Sequence, residues 1–169
     1  MKLKRLPEDF QVEELAEVAL DGGPFAVYRL TKRSLSTLEV LEAVQRRWQL
    51  ERHRPSYGGL KDQYALSQQF ITIADGPRTH LRQSNFERVY LGQTARPFRS
   101  QDIQGNRFHI VLRHLSAKAL ALAEQALDET GHDGFPNYFD DQRFGSLGVS
   151  GAFIARAWCE GDYERGHCG

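Results

Sequence analysis

Cysteine is scarce in this chain: two residues in 169, Cys159 and Cys168, near the C-terminus and without a C-x-x-C spacing or a histidine at zinc distance. They read as free thiols. The six histidines (His53, His80, His109, His114, His132 and His167) form no metal-like constellation either. No apolar run approaches the ~20 residues that a membrane helix needs. Lys2, Lys4 and Arg5 lead straight into Pro7, Glu8 and Asp9 rather than into the apolar region of a signal peptide. A cytoplasmic protein with no membrane partner is the expectation. Charge excess is also missing, with 22 basic residues against 22 acidic. A nucleic-acid binder usually carries a basic surplus, so any such surface must come from clustering. Arg46, Arg47, Arg52, His53 and Arg54 form one run, and Arg96, Arg99, Arg107 and Arg113 a looser second. A solvated helix face explains the first as well as an RNA contact does.

The chain shows no internal repeat and no low-complexity linker. At 169 residues and 40% hydrophobic content it can bury a core, and it reads as one domain over 1–169. Phe10, Val12 and Leu15 mark a first extended segment, and Phe25 to Thr31 a second. The Gly22-Gly23-Pro24 turn between them predicts a hairpin-like pair. Ser36 and Glu39 form a capping-box pair that opens a helix running to Leu50, with Leu38, Leu41, Val44 and Trp48 as its apolar stripe. Phe70 to Ile73 and Phe86 to Gly92 read as strands, 75–85 and 94–104 as irregular. Phe108, Ile110 and Leu112 alternate with polar residues, which predicts a strand with one wet face. Ser116 to Gly131 reads as a helix with Leu120, Ala123 and Leu127 inward, Phe135 to Phe144 as an aromatic loop, and Ser150 to Glu160 as a last helix. The order implies an α+β fold, helices packed on a mixed or largely antiparallel sheet.

One stretch is chemically dense: Gly58-Gly59-Leu60-Lys61-Asp62-Gln63-Tyr64-Ala65-Leu66-Ser67-Gln68-Gln69. Two glycines allow a tight turn and a close approach, and a lone Asp follows them. Taken alone, a glycine turn with an Asp that caps its own backbone accounts for it. The whole stretch, however, resembles the G-x-K-D-x-x-A-x-T-x-Q signature of the TruD family of tRNA pseudouridine synthases, with Ser67 in the Thr place. Pro136 to Gly145 resembles that family's N-Y-F-x-x-Q-R-F-G. Lys4 with Pro7-Glu8-Asp9-Phe10, Val12 and Glu13, and then Gly105-Asn106-Arg107-Phe108, are weaker matches. The four occur in the family's order.

The resemblance implies a pseudouridine synthase-like catalytic domain acting on tRNA, the family target being uridine 13, with no cofactor and no metal. It implies that Asp62 is the catalytic carboxylate, either as nucleophile at the sugar or as the base that starts glycal formation. A buried carboxylate needs a cation. Lys61 is adjacent, but neighbours in an extended chain point to opposite faces. Lys4, at the family's basic position, is therefore the expected partner, against an ordinary surface lysine. Lys61 reads as a surface residue or a phosphate contact. Phe139 resembles the family's stacking aromatic for a flipped base. Asn137 would bond the base edge or orient Asp62. Gln69 and Ser67 join the substrate-binding set as groups behind it, as does Arg143, which could instead meet a phosphate.

The chain is short for this family, whose members carry more sheet after the Phe144-Gly145 motif and an inserted tRNA-clamping domain. It reads as an N-terminal portion of the catalytic domain, so an inactive fragment or half of a split enzyme with a partner chain is a further expectation. A non-catalytic RNA-binding module is the alternative. An unrelated glycosidase would need a second facing carboxylate, and no motif supplies one.

Overall fold

The computed structural model describes residues 4–134. Residues up to Ser116 form one compact unit, and a second begins at Ala117. The first holds strands β1 (Phe10–Leu15), β2 (Phe25–Arg33), β3 (Pro55–Tyr57), β4 (Leu66–Ala74), β5 (Leu81–Arg82), β6 (Phe86–Thr94) and β7 (Gly105–Ile110), with one helix, α1 (Thr37–Trp48). In the second, α2 (Ala117–Asp133) is the described element. It runs past Gly131 and stops before Gly134, whose φ of 71° is easy only for glycine. No helix among the described residues is long and apolar enough to cross a membrane.

The seven strands make one sheet in the order β5-β6-β2-β4-β1-β7, with β3 beside β4 beyond the end of β1. Only β1 and β4 run parallel; the other five pairings are antiparallel. This is the mixed, largely antiparallel α+β class that the pattern implied. The expected hairpin of β1 and β2 does not form, because β4 lies between them. The double glycine serves a different contact. Gly22 N–H donates to Gln93 O at 3.1 Å, and Ala95 N–H donates to the Asp21 carboxylate at 3.0 Å. A side chain on Gly23 would come within 2.7 Å of the Ala95 backbone. The segment is thus pressed onto the end of β6.

Alternation along β2 and β4 puts Ala26, Tyr28 and Leu30 on the same face as Ile71 and Ile73, and Val40, Leu41 and Val44 of α1 complete that core. Leu38, read as part of the helix stripe, is 48% exposed, and Val40 takes its place. The helix start follows the sequence reading. Glu39 N–H donates to Ser36 Oγ at 3.1 Å, and Ser36 N–H donates back to the Glu39 carboxylate at 2.6 Å. On β7 both faces are open: Phe108 and Ile110, expected to be covered, are 56% and 51% exposed. Leu120 and Leu127 of α2 are exposed as well.

Candidate active site

The loop of Gly58 to Ala65 connects β3 to β4 and lies on the α1 side of the sheet. Directly paired residues share a face. Lys32, Ser67, Val12 and Phe108 therefore project to that side, as do Leu30 with Gln69, Phe10 with Ile110, and Glu14 with Asn106. Polar and charged residues in this row are the exceptions in an otherwise apolar layer, and all but Ser67 meet the loop through a hydrogen bond or ion pair. Gln69, fully buried, accepts from the Thr37 hydroxyl at 2.8 Å and donates to Gly59 O at 3.1 Å. Thr37 Oγ1 in turn accepts from Lys61 N–H at 3.2 Å. Lys32, also fully buried, donates from Nζ to Leu35 O, Asp62 O and Lys61 O at 2.7, 2.9 and 3.3 Å. Ser34 N–H closes the far end on Ala65 O at 3.3 Å.

Lys61 and Asp62 do point apart. The Lys61 ammonium sits 2.7 Å from Glu14 Oε2, with the two side chains only 8% and 0% exposed, and donates to Asn106 Oδ1 at 2.8 Å. Glu14 Oε1 accepts from Phe70 N–H at 2.9 Å. The lysine of the motif is neither a surface residue nor free for a phosphate: it pins the loop to β1 and β7. Asp62 turns outward, and the structure brings Lys4 to it at 2.5 Å between Nζ and Oδ2. Lys4 also lies 4.0 Å above the Phe10 ring, which fixes the ammonium from below. Oδ1 accepts from Tyr64 N–H at 2.8 Å, an Asp turn of the kind the glycine-turn reading anticipated. Burial pushes the Asp62 carboxyl up. The Lys4 and Tyr64 hydrogen bonds, with the Lys4 and Lys32 charges, outweigh it and hold the group below the usual carboxylate value. The result is an ionised carboxylate with its side chain 29% open to solvent, flanked by the exposed Leu60 and Tyr64.

The other expected site residues divide by position. Ser67 is buried on the Asp62 side of β4, and among the described residues its hydroxyl has no hydrogen-bond partner. Phe139, Asn137 and Arg143, with the whole Pro136 to Gly145 motif, lie outside the described residues, as does the expected helix of 150–160. The arginine clusters are less available than their number suggests. Arg96 pairs with Asp102, Arg107 with Glu13, and Arg113 with Asp9, while Arg54 caps Ala74 O. Arg46, Arg47 and Arg52 are exposed. A groove of about 290 Å³ lined by Glu13, Thr31, Gln68, Arg107 and His109, with Ser67 also on its wall, opens on the opposite face of the sheet and does not include Lys61 or Asp62.

Sequence reading missed Glu14, Lys32 and Asn106. The signal was present in β2: Lys32 falls in phase with Ala26, Tyr28 and Leu30, so a charge stands where alternation demands an apolar residue. Glu14 occupies the same kind of position after Phe10 and Val12.

A mixed sheet with a carboxylate loop tied across one face defines the class to which the chain is similar. The fold matches the crystal structure of a Methanosarcina mazei protein named for tRNA pseudouridine synthase D (TruD) with a TM-score of 0.79, at 30% identity over 97% of this chain and 39% of that one. The family model of tRNA pseudouridine synthase D (TruD) matches residues 1–166, and the chain belongs to that family. Similar proteins include those named for tRNA pseudouridine synthase D in Methanococcus maripaludis, 32% identical over 97% of this chain, and Methanocaldococcus jannaschii, 34% identical over 97%. The chain spans 42% and 39% of the lengths of those two relatives.

Proposed function

We propose that this chain carries the catalytic loop of a tRNA pseudouridine synthase, an isomerase that converts a uridine of tRNA, by family likeness uridine 13, to pseudouridine in the cytoplasm. The observation that supports this reading most directly is the Asp62 carboxylate, partly exposed, kept ionised by Lys4, and held on a loop tied down at Gly59, Lys61, Asp62 and Ala65. In the reaction the N1–C1′ bond of the nucleoside breaks, the base turns, and a C5–C1′ bond forms. The C5 proton leaves to solvent and N1 gains one, so atoms balance without any cofactor. Asp62 acts on the ribose, as nucleophile at C1′ or as base at C2′. Either role needs the ionised form that Lys4 favours. Lys4 neutralises the loop carboxylate in the free protein and stays beside it as charge moves during the reaction.

The uridine must leave its stack to reach Asp62, and Phe139 receives it by stacking while Asn137 meets the base edge or Asp62 and Arg143 a phosphate. Gln69 and Ser67, both buried, act from behind the loop rather than by touching RNA. The relatives are more than twice as long as this chain, and the same reading includes the part of the catalytic domain that they carry beyond it, on this chain or on a partner chain.

Tritium release from C5-labelled uridine in a tRNA transcript tests the proposal, with the Asp62→Asn chain alongside. Release that vanishes in the variant, while tRNA affinity stays, is the expected result. Release unaffected by Asp62→Asn would overturn the assignment of the carboxylate.

A further inference from the structure

Among the described residues Lys32 is the one ammonium that is fully buried, and its surroundings are unusual. Its three N–H bonds have three carbonyl acceptors, one on the turn before α1 (Leu35) and two on successive residues of the loop (Lys61 and Asp62). An ammonium has three donors and no acceptor; a neutral amine has two donors and a lone pair. Loss of the proton therefore leaves one carbonyl without its donor and turns a lone pair toward oxygen. In a buried site that unmet group is costly. The side chains facing Lys32 are those of Asp62 and Lys61 from the loop and Glu39 from α1. Its register neighbours in β4 and β6 are the neutral Ser67 and Phe86.

We propose that Lys32 is a positioning residue: its protonated ammonium latches the Asp62 backbone to the start of α1, and a single buried proton decides whether that latch is closed. The inference rests on the functional reading above for its link to catalysis, but the latch itself concerns only the loop.

Burial lowers the Lys32 ammonium from the ordinary lysine value to about 8, with Asp62 and Glu39 opposing the shift and Lys61 adding to it. The switch thus falls at mildly alkaline pH. Overall stability is the wrong readout. Because the folded value lies below the unfolded one, near ~10.4, the folded chain releases this proton first, and between those values the Lys32 contribution to global stability rises with pH. The loop loosens while the molecule as a whole does not. A local probe is needed.

Carbonyl-detected NMR of the full chain from about pH 6.5 to about pH 10 supplies it. The carbonyl carbons of Leu35, Lys61 and Asp62 are expected to shift together with one midpoint at about 8, matched by the Lys32 Nζ signal, and to lose that titration in Lys32→Met. Carbonyls that stay flat across the range, or that titrate unchanged in Lys32→Met, overturn the latch. Should Lys32→Met fail to fold, the wild-type titration alone still decides: a Lys32 signal whose midpoint the three carbonyls do not share is fatal. For turnover, tritium release by the wild type is expected to fall through kcat rather than KM above that midpoint, and Lys32→Met to lose on the order of 10- to 100-fold in kcat at neutral pH. Lys32→Arg, which keeps charge and donors, extends the plateau to higher pH. An intact carbonyl titration with no Asp62-dependent release sustains the latch and counts against the catalytic reading instead.

Discussion

At the scale of single residues the site is a contest between burial and charge at Asp62. Burial is the largest influence and disfavours the ionised form; the Lys4 hydrogen bond is the largest influence against it. Removing Lys4 leaves Tyr64 N–H and the Lys32 charge to hold the carboxyl down. In Lys4→Met the Asp62 carboxyl is therefore expected to titrate at higher pH than in the wild type, and the acid limb of any Asp62-dependent turnover to move the same way. Carbon-13 titration of the Asp62 side chain reads the shift directly. An unmoved midpoint would make Lys4 a surface lysine after all. Sequence alone left that choice open, because contact between residues 58 positions apart depends on where the short 3-10 turn Pro7–Asp9 and β1 carry the N-terminus. Gly58 is a second residue whose demand comes from a partner distant in the sequence. A side chain there would come within 2.5 Å of Ile103, so the first glycine of the pair answers to packing, while a side chain on Gly59 would meet open space.

Among elements, the loop is held by strands that were individually readable and jointly not. Alternation delimits β1, β2 and β6 well, and the capping box fixes the start of α1, because each signal is contained in a few consecutive residues. The insertion of β4 between β1 and β2 is set by which apolar faces bury together, and no local turn signal encodes it. The same non-local pairing creates the Glu14–Lys61 bridge, joining β1 to the loop and, through Asn106, to β7. Breaking a buried pair from one side strands the other charge, at a cost of about 3–5 kcal/mol. Lys61→Met should lower stability on that scale, as should Glu14→Leu. The double variant should lose distinctly less than the sum of the two, since no charge is then left unpaired. Urea unfolding of the four proteins measures this cycle. Additive losses would mean that the two side chains contribute independently, and that Lys61 does not anchor the loop through Glu14.

For the molecule as a whole, one contact joins the beginning of the described chain to the end of the first unit. Asp9, 1% exposed in the turn before β1, accepts from Arg113 through both carboxylate oxygens, at 2.7 to 3.0 Å, and from Leu6 N–H at 3.1 Å. Val111 N–H reinforces the closure by donating to Asp9 O at 2.8 Å. The Arg113 hydrogen bonds are the largest influence on the Asp9 carboxyl and hold it below its ordinary value against the effect of burial. Since the folded value lies below the unfolded one, near ~3.9, Asp9 contributes stability that is fully present above that pH and is lost as pH falls through the folded value. Glu8, Glu39, Asp62 and Asp102 are lowered too and follow the same sign, so acid unfolding of the wild type reports them all. Arg113→Gln isolates Asp9. The variant should be less stable than the wild type at neutral pH, and the gap between their urea midpoints should narrow as pH drops below about 4, where protonation removes the same interaction from the wild type. A gap that stays constant down to the lowest pH at which both fold would show that Arg113 stabilises the chain by packing, and that the closure of the first unit does not depend on the charge of Asp9.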